Sequence, residues 1–168
     1  MKKVALIIGK QGFRDEEYFH PKEVLERNNI QVVTVSSIRG KCIGKLGGIA
    51  NSDMTIDEIK VSDFDAIFFI GGPGAAEYFD SPVAHKILNE IALTDKIFGA
   101  ICIAPTTLAN AGVLKGKKST GFPDAEEAVI NGGGIWTAKN VEVDGNLITA
   151  NGPQSAYEFG EMIVEKLK

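Results

Sequence analysis

The sequence is short of the residues that most often carry metal or redox chemistry. Among its 168 residues are two cysteines, Cys42 and Cys102, and two histidines, His20 and His85. The cysteines form neither a CxxC pair nor a zinc-ligand spacing. With so few histidines, no metal site built by the protein is expected. A reducing compartment would keep both thiols free. A basic excess is also missing: 18 Lys and Arg stand against 22 Asp and Glu, for a formal net charge of −4. That argues against a broad nucleic-acid-binding face. The one small basic cluster, Lys115, Lys117 and Lys118, suits a helix end or solvent. No apolar run approaches the ~18 residues of a membrane span. The run behind the basic start, Val4 to Ile8, is too short for the core of a secretion signal. A cytoplasmic protein is expected, with no nucleic-acid or membrane partner. Repeats, linkers and low-complexity stretches are absent too, so residues 1–168 read as one domain.

What is present is the composition of a globular chain, 44% hydrophobic and 24% charged. Apolar runs alternate with segments of helical period. Lys3–Ile8, Gln31–Ser36, Phe64–Ile70 and Ile97–Ile101 read as buried strands. Asp15–Asn28, Pro82–Leu93, Ala104–Ala111, Asp124–Asn131 and Ser155–Lys168 read as helices, with a helical turn at Thr55–Ile59. Gly40–Asn51 suits a short hairpin. Gly134–Thr137, Val141–Val143 and Leu147–Thr149 suit short strands. Strands that are apolar throughout and separated by helices predict a mostly parallel sheet covered on both faces. The fold class is therefore α/β, a single three-layer flavodoxin-like domain. Its functional crevice should lie beyond the carboxyl ends of the strands. The loops Gly9–Arg14, Gly71–Ala75 and Cys102–Pro105 fall there.

One of these loops holds a cysteine in a distinctive frame. In Ala100-Ile101-Cys102-Ile103-Ala104-Pro105, a strand ends, a helix begins, and small residues flank the cysteine two positions away on each side. This is the small-x-nucleophile-x-small layout of a nucleophile elbow, where a tight turn presents the side chain above the sheet. The competing reading is a buried cysteine that acts as a small apolar residue. At a helix N-terminus the thiol pKa is expected to fall below its free value of ~8.5. Gly71-Gly72-Pro73-Gly74 follows another strand and can offer backbone N–H groups to an oxyanion. It lacks the third glycine of a dinucleotide fingerprint. Asp15, Glu16 and Glu17 favour the first turn of a helix, and their loop position lets one of them reach the cysteine. His20 and His85 better suit surface or packing roles, although His20 remains a possible base.

These segments resemble the ThiJ/PfpI family, which includes the Parkinson-associated deglycase and archaeal intracellular peptidases and has a class I glutamine amidotransferase-like fold. Phe13 through Pro21 is similar to the family's first helix, where an acid lies four residues before a proline. That spacing selects Glu17. Phe68-Phe69-Ile70-Gly71-Gly72 resembles its Gly-Gly turn, and Ala100 through Leu108 its elbow. Asn140 through Thr149 and Gly152 through Phe159 resemble its C-terminal hairpin and helix.

The resemblance implies that Glu17 is protonated and donates a hydrogen bond to the sulfur of Cys102. It also implies backbone donors at Gly72 and Ile103, and a homodimer. Two departures stand out. Peptidase-like members have a histidine directly after the cysteine, where this chain has Ile103. Deglycase-like members have one in a Thr-His-Pro turn, where this chain has Phe122. Glu77 lies one place from an acid that peptidase-like members use across their dimer.

The resemblance therefore implies cofactor-independent hydrolysis of reactive 2-oxoaldehydes or glycated adducts at Cys102. A redox sensor or chaperone that uses Cys102 oxidation is the alternative. A cysteine peptidase is disfavoured, because cleavage of an amide needs an acid for the leaving amine.

Overall fold

A computed structural model describes all residues, 1–168. In chain order the strands are β1 (Lys3–Ile7), β2 (Gln11–Phe13), β3 (Gln31–Ser36), β4 (Gly40–Gly44), β5 (Ile49–Ser52), β6 (Met54–Thr55), β7 (Ala66–Phe69), β8 (Ile97–Ile101), β9 (Lys118–Ser119), β10 (Ile135–Trp136), β11 (Val141–Asp144) and β12 (Leu147–Ala150). The helices are α1 (Asp15–Arg27), α2 (Pro82–Ile91), α3 (Pro105–Asn110), α4 (Glu126–Asn131) and α5 (Ala156–Leu167).

Seven strands form the central sheet, in the order β11-β12-β8-β7-β1-β3-β6. Every neighbouring pair is parallel except the edge pair β11–β12. Counting only β1, β3, β7, β8 and β12, the order is 2-1-3-4-5, which is flavodoxin-like. The order reverses between β1 and β7, so a crevice opens beyond their carboxyl ends.

The apolar strands divide their side chains between two cores, because alternate residues point to opposite faces. Ala5, Ile7, Ile67 and Phe69 pack with Ala84, Leu88 and Ile91 of α2 and Leu108 of α3. Val4, Leu6, Ile8 and Phe68 pack with Val24 and Leu25 of α1 and Phe159 and Ile163 of α5. Both faces are covered, which is why these strands carry no polar alternation.

The anticipated elements are present, with ends shifted by a residue or two. Asp124–Asn131 divides into a 3-10 turn at Pro123–Ala125 followed by α4. Three strands were not anticipated: β2, β6 and β9, each two or three residues long. Such short segments show no period. β2 joins the β4–β5 hairpin in a separate three-stranded sheet beside the crevice. No helix is long and apolar enough to cross a membrane.

Candidate active site

Cys102 stands where β8 ends, and its φ is +65°. A left-handed conformation is unfavourable for a residue with a Cβ, at about 1–2 kcal/mol, and persists only where its surroundings enforce it. Here the Cys102 N–H donates to Ala150 O at 2.9 Å, and its carbonyl accepts from Phe122 N at 2.8 Å. Ala100 and Ala104 are both buried, so the small frame packs as the elbow layout requires. The side chain is left half-buried.

The thiol is not in the state expected from the sequence. Burial pushes Cys102 up to about 12, aided by the negative charge of Glu17 and a hydrogen bond between the two side chains. The N–H groups of Gly72 and Ile103 act the opposite way, favouring a thiolate. The expectation of a lowered pKa rested on a helix N-terminus. The helix that follows, α3, is only six residues long, too short for its dipole to offset that desolvation.

Glu17 is fully buried in the first turn of α1. Its Oε1 accepts from Gly71 N at 3.1 Å. Its Oε2 has no partner within normal hydrogen-bond geometry; its interaction with the Cys102 sulfur is the looser contact that enters the shifts of both groups. Burial pushes this carboxyl up to about 7, against the hydrogen bonds to Cys102 and Gly71 and the nearby charge of Arg14. With both groups raised, the pair holds one proton between about 7 and about 12. When that proton sits on Glu17, the charge that raises the thiol is gone and the carboxyl can donate to a thiolate.

Two glycines make the contact possible. A Cβ on Gly71 would lie 2.5 Å from Glu17 Oε1 and 2.6 Å from Cys102 Cβ. Gly72 has φ +92°, and a Cβ there would strike the backbone of Arg14 and Gly12.

The sulfur opens into a cavity of about 260 Å³ lined by Arg14, Glu17, Lys45, Gly72, Pro73, Cys102, Ile103, Phe122, Asp124 and Pro153. Of the residues singled out in the sequence, Cys102, Glu17, Gly72 and Ile103 are brought together here. His20 is not, and the suggestion that it acts as a base is corrected. Its ring stacks on Tyr157, with centroids 4.0 Å apart, and it is absent from the cavity wall. His85 Nε2 bonds Phe79 O at 2.9 Å. Glu77 accepts from Lys10 N at 2.9 Å, within its own chain.

Both positions where relatives place a histidine, Ile103 and Phe122, do line the cavity, and both are apolar. Three lining residues were not anticipated: Arg14, Lys45 and Asp124. Arg14 ends the Gly9–Arg14 loop and Lys45 lies within Gly40–Asn51, both already noted as segments, but nothing in their spacing marks these two residues. Elsewhere, no group of three or more His, Cys, Asp or Glu side chains converges as metal ligands would.

Comparisons with known proteins give the family. The description of the DJ-1/PfpI family matches residues 2–166. A deglycase of Pyrococcus abyssi is 31% identical over 164 residues, covering 98% of this chain and 99% of that protein. A glutathione-independent glyoxalase of Caenorhabditis elegans is 27% identical over 167 residues, covering 99% of this chain and 89% of that protein. The crystal structure of a ThiJ/PfpI domain protein from Brachyspira murdochii superposes with a TM-score of 0.96 at 32% identity, covering 98% of this chain and 95% of that one. The match runs from the first strand to the last helix, and this chain belongs to the DJ-1/PfpI family.

Proposed function

We propose that the protein hydrolyses reactive 2-oxoaldehydes or their early glycation adducts without a cofactor, using Cys102 as nucleophile and Glu17 as its proton partner. The observation that carries this reading is the buried Glu17 carboxyl. One of its oxygens is fixed on Gly71 N–H, the other is left without a close partner, and the Cys102 sulfur is the titrating group it acts on. Relatives named deglycase and glyoxalase support the substrate class.

For methylglyoxal, the sulfur adds to the aldehyde carbon and the carbonyl electron pair moves to oxygen. The N–H groups of Gly72 and Ile103 sit where they can hold that charge, and Glu17 gives it a proton. The Glu17 carboxylate then takes the hydrogen from this carbon as a proton, and the freed electron pair forms an enediol. Return of a proton to the neighbouring carbon leaves a thioester of a 2-hydroxy acid. Water cleaves the thioester, releasing lactate and restoring the thiol. The net change is addition of one water.

Peptide cleavage fits less well, because Ile103 and Phe122 offer the leaving amine no proton. The same N–H pair and a protonated Glu17 would also hold the oxygens of an oxidised Cys102, which favours a redox sensor as the second reading. Peptide mapping after mild peroxide tests it; oxidation at Cys42 with Cys102 left a thiol would refute it. Homodimerisation and cytoplasmic placement belong to the proposal and rest on family membership.

The test of the first reading is lactate formation from methylglyoxal by the wild type, Cys102→Ser and Glu17→Gln. Loss of Cys102 should abolish turnover, and loss of the Glu17 proton should cost about 10²–10⁴-fold. Equal background rates in all three proteins would refute it.

A further inference from the structure

Beside the nucleophile stands a cation with no assigned task. Lys45 lines the Cys102 cavity but lies in the β4–β5 turn, far from Cys102 in sequence. Its place is built rather than incidental. Lys45 N donates to Phe13 O at 2.8 Å. The Asp15 carboxylate then accepts from both following N–H groups within reach, Leu46 N at 2.8 Å and Gly48 N at 2.7 Å. Gly48 admits no side chain, since a Cβ would lie 2.5 Å from Asp15 Oδ2. The first turn of α1 therefore holds the hairpin that carries Lys45 as well as presenting Glu17.

The charges around the cavity are unequal in their partners. Arg14 is engaged by Glu16 through Nε and Nη2, both at 3.0 Å. Lys45 makes no ion pair, whereas Arg14, Lys22, Arg27, Arg39, Lys139 and Lys168 all do. The acid on the wall besides Glu17 is Asp124. It also lines a neighbouring groove with Glu127 and Asn131, so it stands where the two cavities meet. The unpaired cation on the wall thus stands on the hairpin side of the site, and Asp124 on the α4 side.

We infer that Lys45 docks an anionic group of the substrate. The preferred compound would then be a small 2-oxoaldehyde that bears a carboxylate, in place of a neutral one such as methylglyoxal. This inference takes its reaction from the function proposed above, but its charge selectivity is a property of the site that can be measured without turnover. A cavity of about 260 Å³ is at or below the small end of ligand sites, so the anion and the reacting carbonyl would be separated by only a carbon or two.

Iodoacetate and iodoacetamide provide the probe. Each loses iodide to the sulfur, and they are alike in size but differ by one charge. Alkylation at Cys102, located by peptide mapping, gives a rate ratio of iodoacetate to iodoacetamide. A cation that merely promotes the thiolate raises both rates and leaves the ratio alone. A docking cation raises the ratio above that of the neutral thiol N-acetylcysteinamide, and the excess shrinks as salt is added.

The expected result is a fall of about threefold to fivefold in Lys45→Ala, a further fall in Lys45→Glu, and recovery in Lys45→Arg. This is the scale of one solvent-screened charge in contact with the bound anion. A ratio equal to that of N-acetylcysteinamide, or unchanged in Lys45→Ala, overturns the inference. If the ratio shifts as expected while methylglyoxal and carboxylate-bearing 2-oxoaldehydes all go unhydrolysed, the anion site stands and the proposed reaction falls. If turnover occurs with no shift, the reaction stands and Lys45 has no docking role.

Discussion

Replacing Glu17 with glutamine should make the protein more stable at alkaline pH. The carboxyl is raised from 4.5 to about 7, with burial as its first cause. A difference of that size corresponds to about 3 kcal/mol. The sign follows from proton counts. Between about 4.5 and about 7, the folded protein keeps a proton that the unfolded chain releases. Stability must therefore fall as pH rises through that window, and the loss is complete above it. Glutamine is neutral throughout. Its oxygen can still accept from Gly71 N, and its amide can still donate to the sulfur. The variant should match the wild type near pH 4.5 and exceed it by about 2–3 kcal/mol at pH 8.5.

Urea denaturation at the two pH values, followed through the single tryptophan Trp136, measures this difference. Only the wild type minus variant comparison matters, so the titration of groups not coupled to Glu17 cancels. The same experiment in a Cys102→Ala background should preserve most of the effect, since desolvation outweighs the sulfur as its cause. Parallel pH dependence in wild type and Glu17→Gln would refute the reasoning, as would a variant less stable at pH 8.5. Either result would mean that Glu17 is not held as a buried neutral acid.

Other outcomes follow from the same geometry. Gly71→Ala should lose about 1–3 kcal/mol by overpacking and shift the pH profile of Cys102 alkylation, because the added methyl would intrude on both Glu17 and Cys102. In the wild type, that alkylation should rise as the pair sheds its first proton near pH 7, as read from iodoacetamide rates across pH. Cys102→Gly should exceed Cys102→Ala in stability by about 1 kcal/mol, since only glycine occupies φ +65° without strain; equal melting would count against a strained elbow. Asp15→Ala should cost about 2 kcal/mol by orphaning the N–H groups of Leu46 and Gly48. It should also lower the iodoacetate preference as Lys45→Ala does.

The sheet and the elbow were legible because each leaves a local signature. Buried parallel strands are uniformly apolar, and a tight strand-to-helix turn needs small residues at fixed offsets. The acids of α1 were not legible in the same way. Asp15, Glu16 and Glu17 are neighbours of similar type, and residue chemistry alone could not rank them; family spacing selected Glu17. Folding gives each its own direction, since successive side chains point about 100° apart around a helix. Asp15 turns to the hairpin, Glu16 to Arg14, and Glu17 inward to Cys102. Lys45 escaped notice because it reaches the site from a loop, whose path no periodicity records, and Asp124 because it sits in a single 3-10 turn ahead of α4. The direction of the thiol shift was missed for another reason. Burial depends on everything packed around the sulfur, and the cue that was used, a helix start, belongs here to a helix of six residues.

Histidine at Ile103 or Phe122 would give a nearby cysteine a separate base to accept its proton. Without one, the proposed reaction has the proton pass within the Glu17–Cys102 pair, so that the acid that would steady the thiolate would also generate it. Such a pair works only if both members are desolvated enough to share a proton across the neutral range, and that same desolvation destabilises the fold. The strain at Cys102, the closely approached Gly71 and the buried Glu17 carboxyl all meet at the carboxyl ends of β7 and β8. These are central strands of the sheet, covered on both faces. A site this unfavourable is best tolerated there, where the surrounding packing is extensive enough to hold a left-handed cysteine against a buried acid.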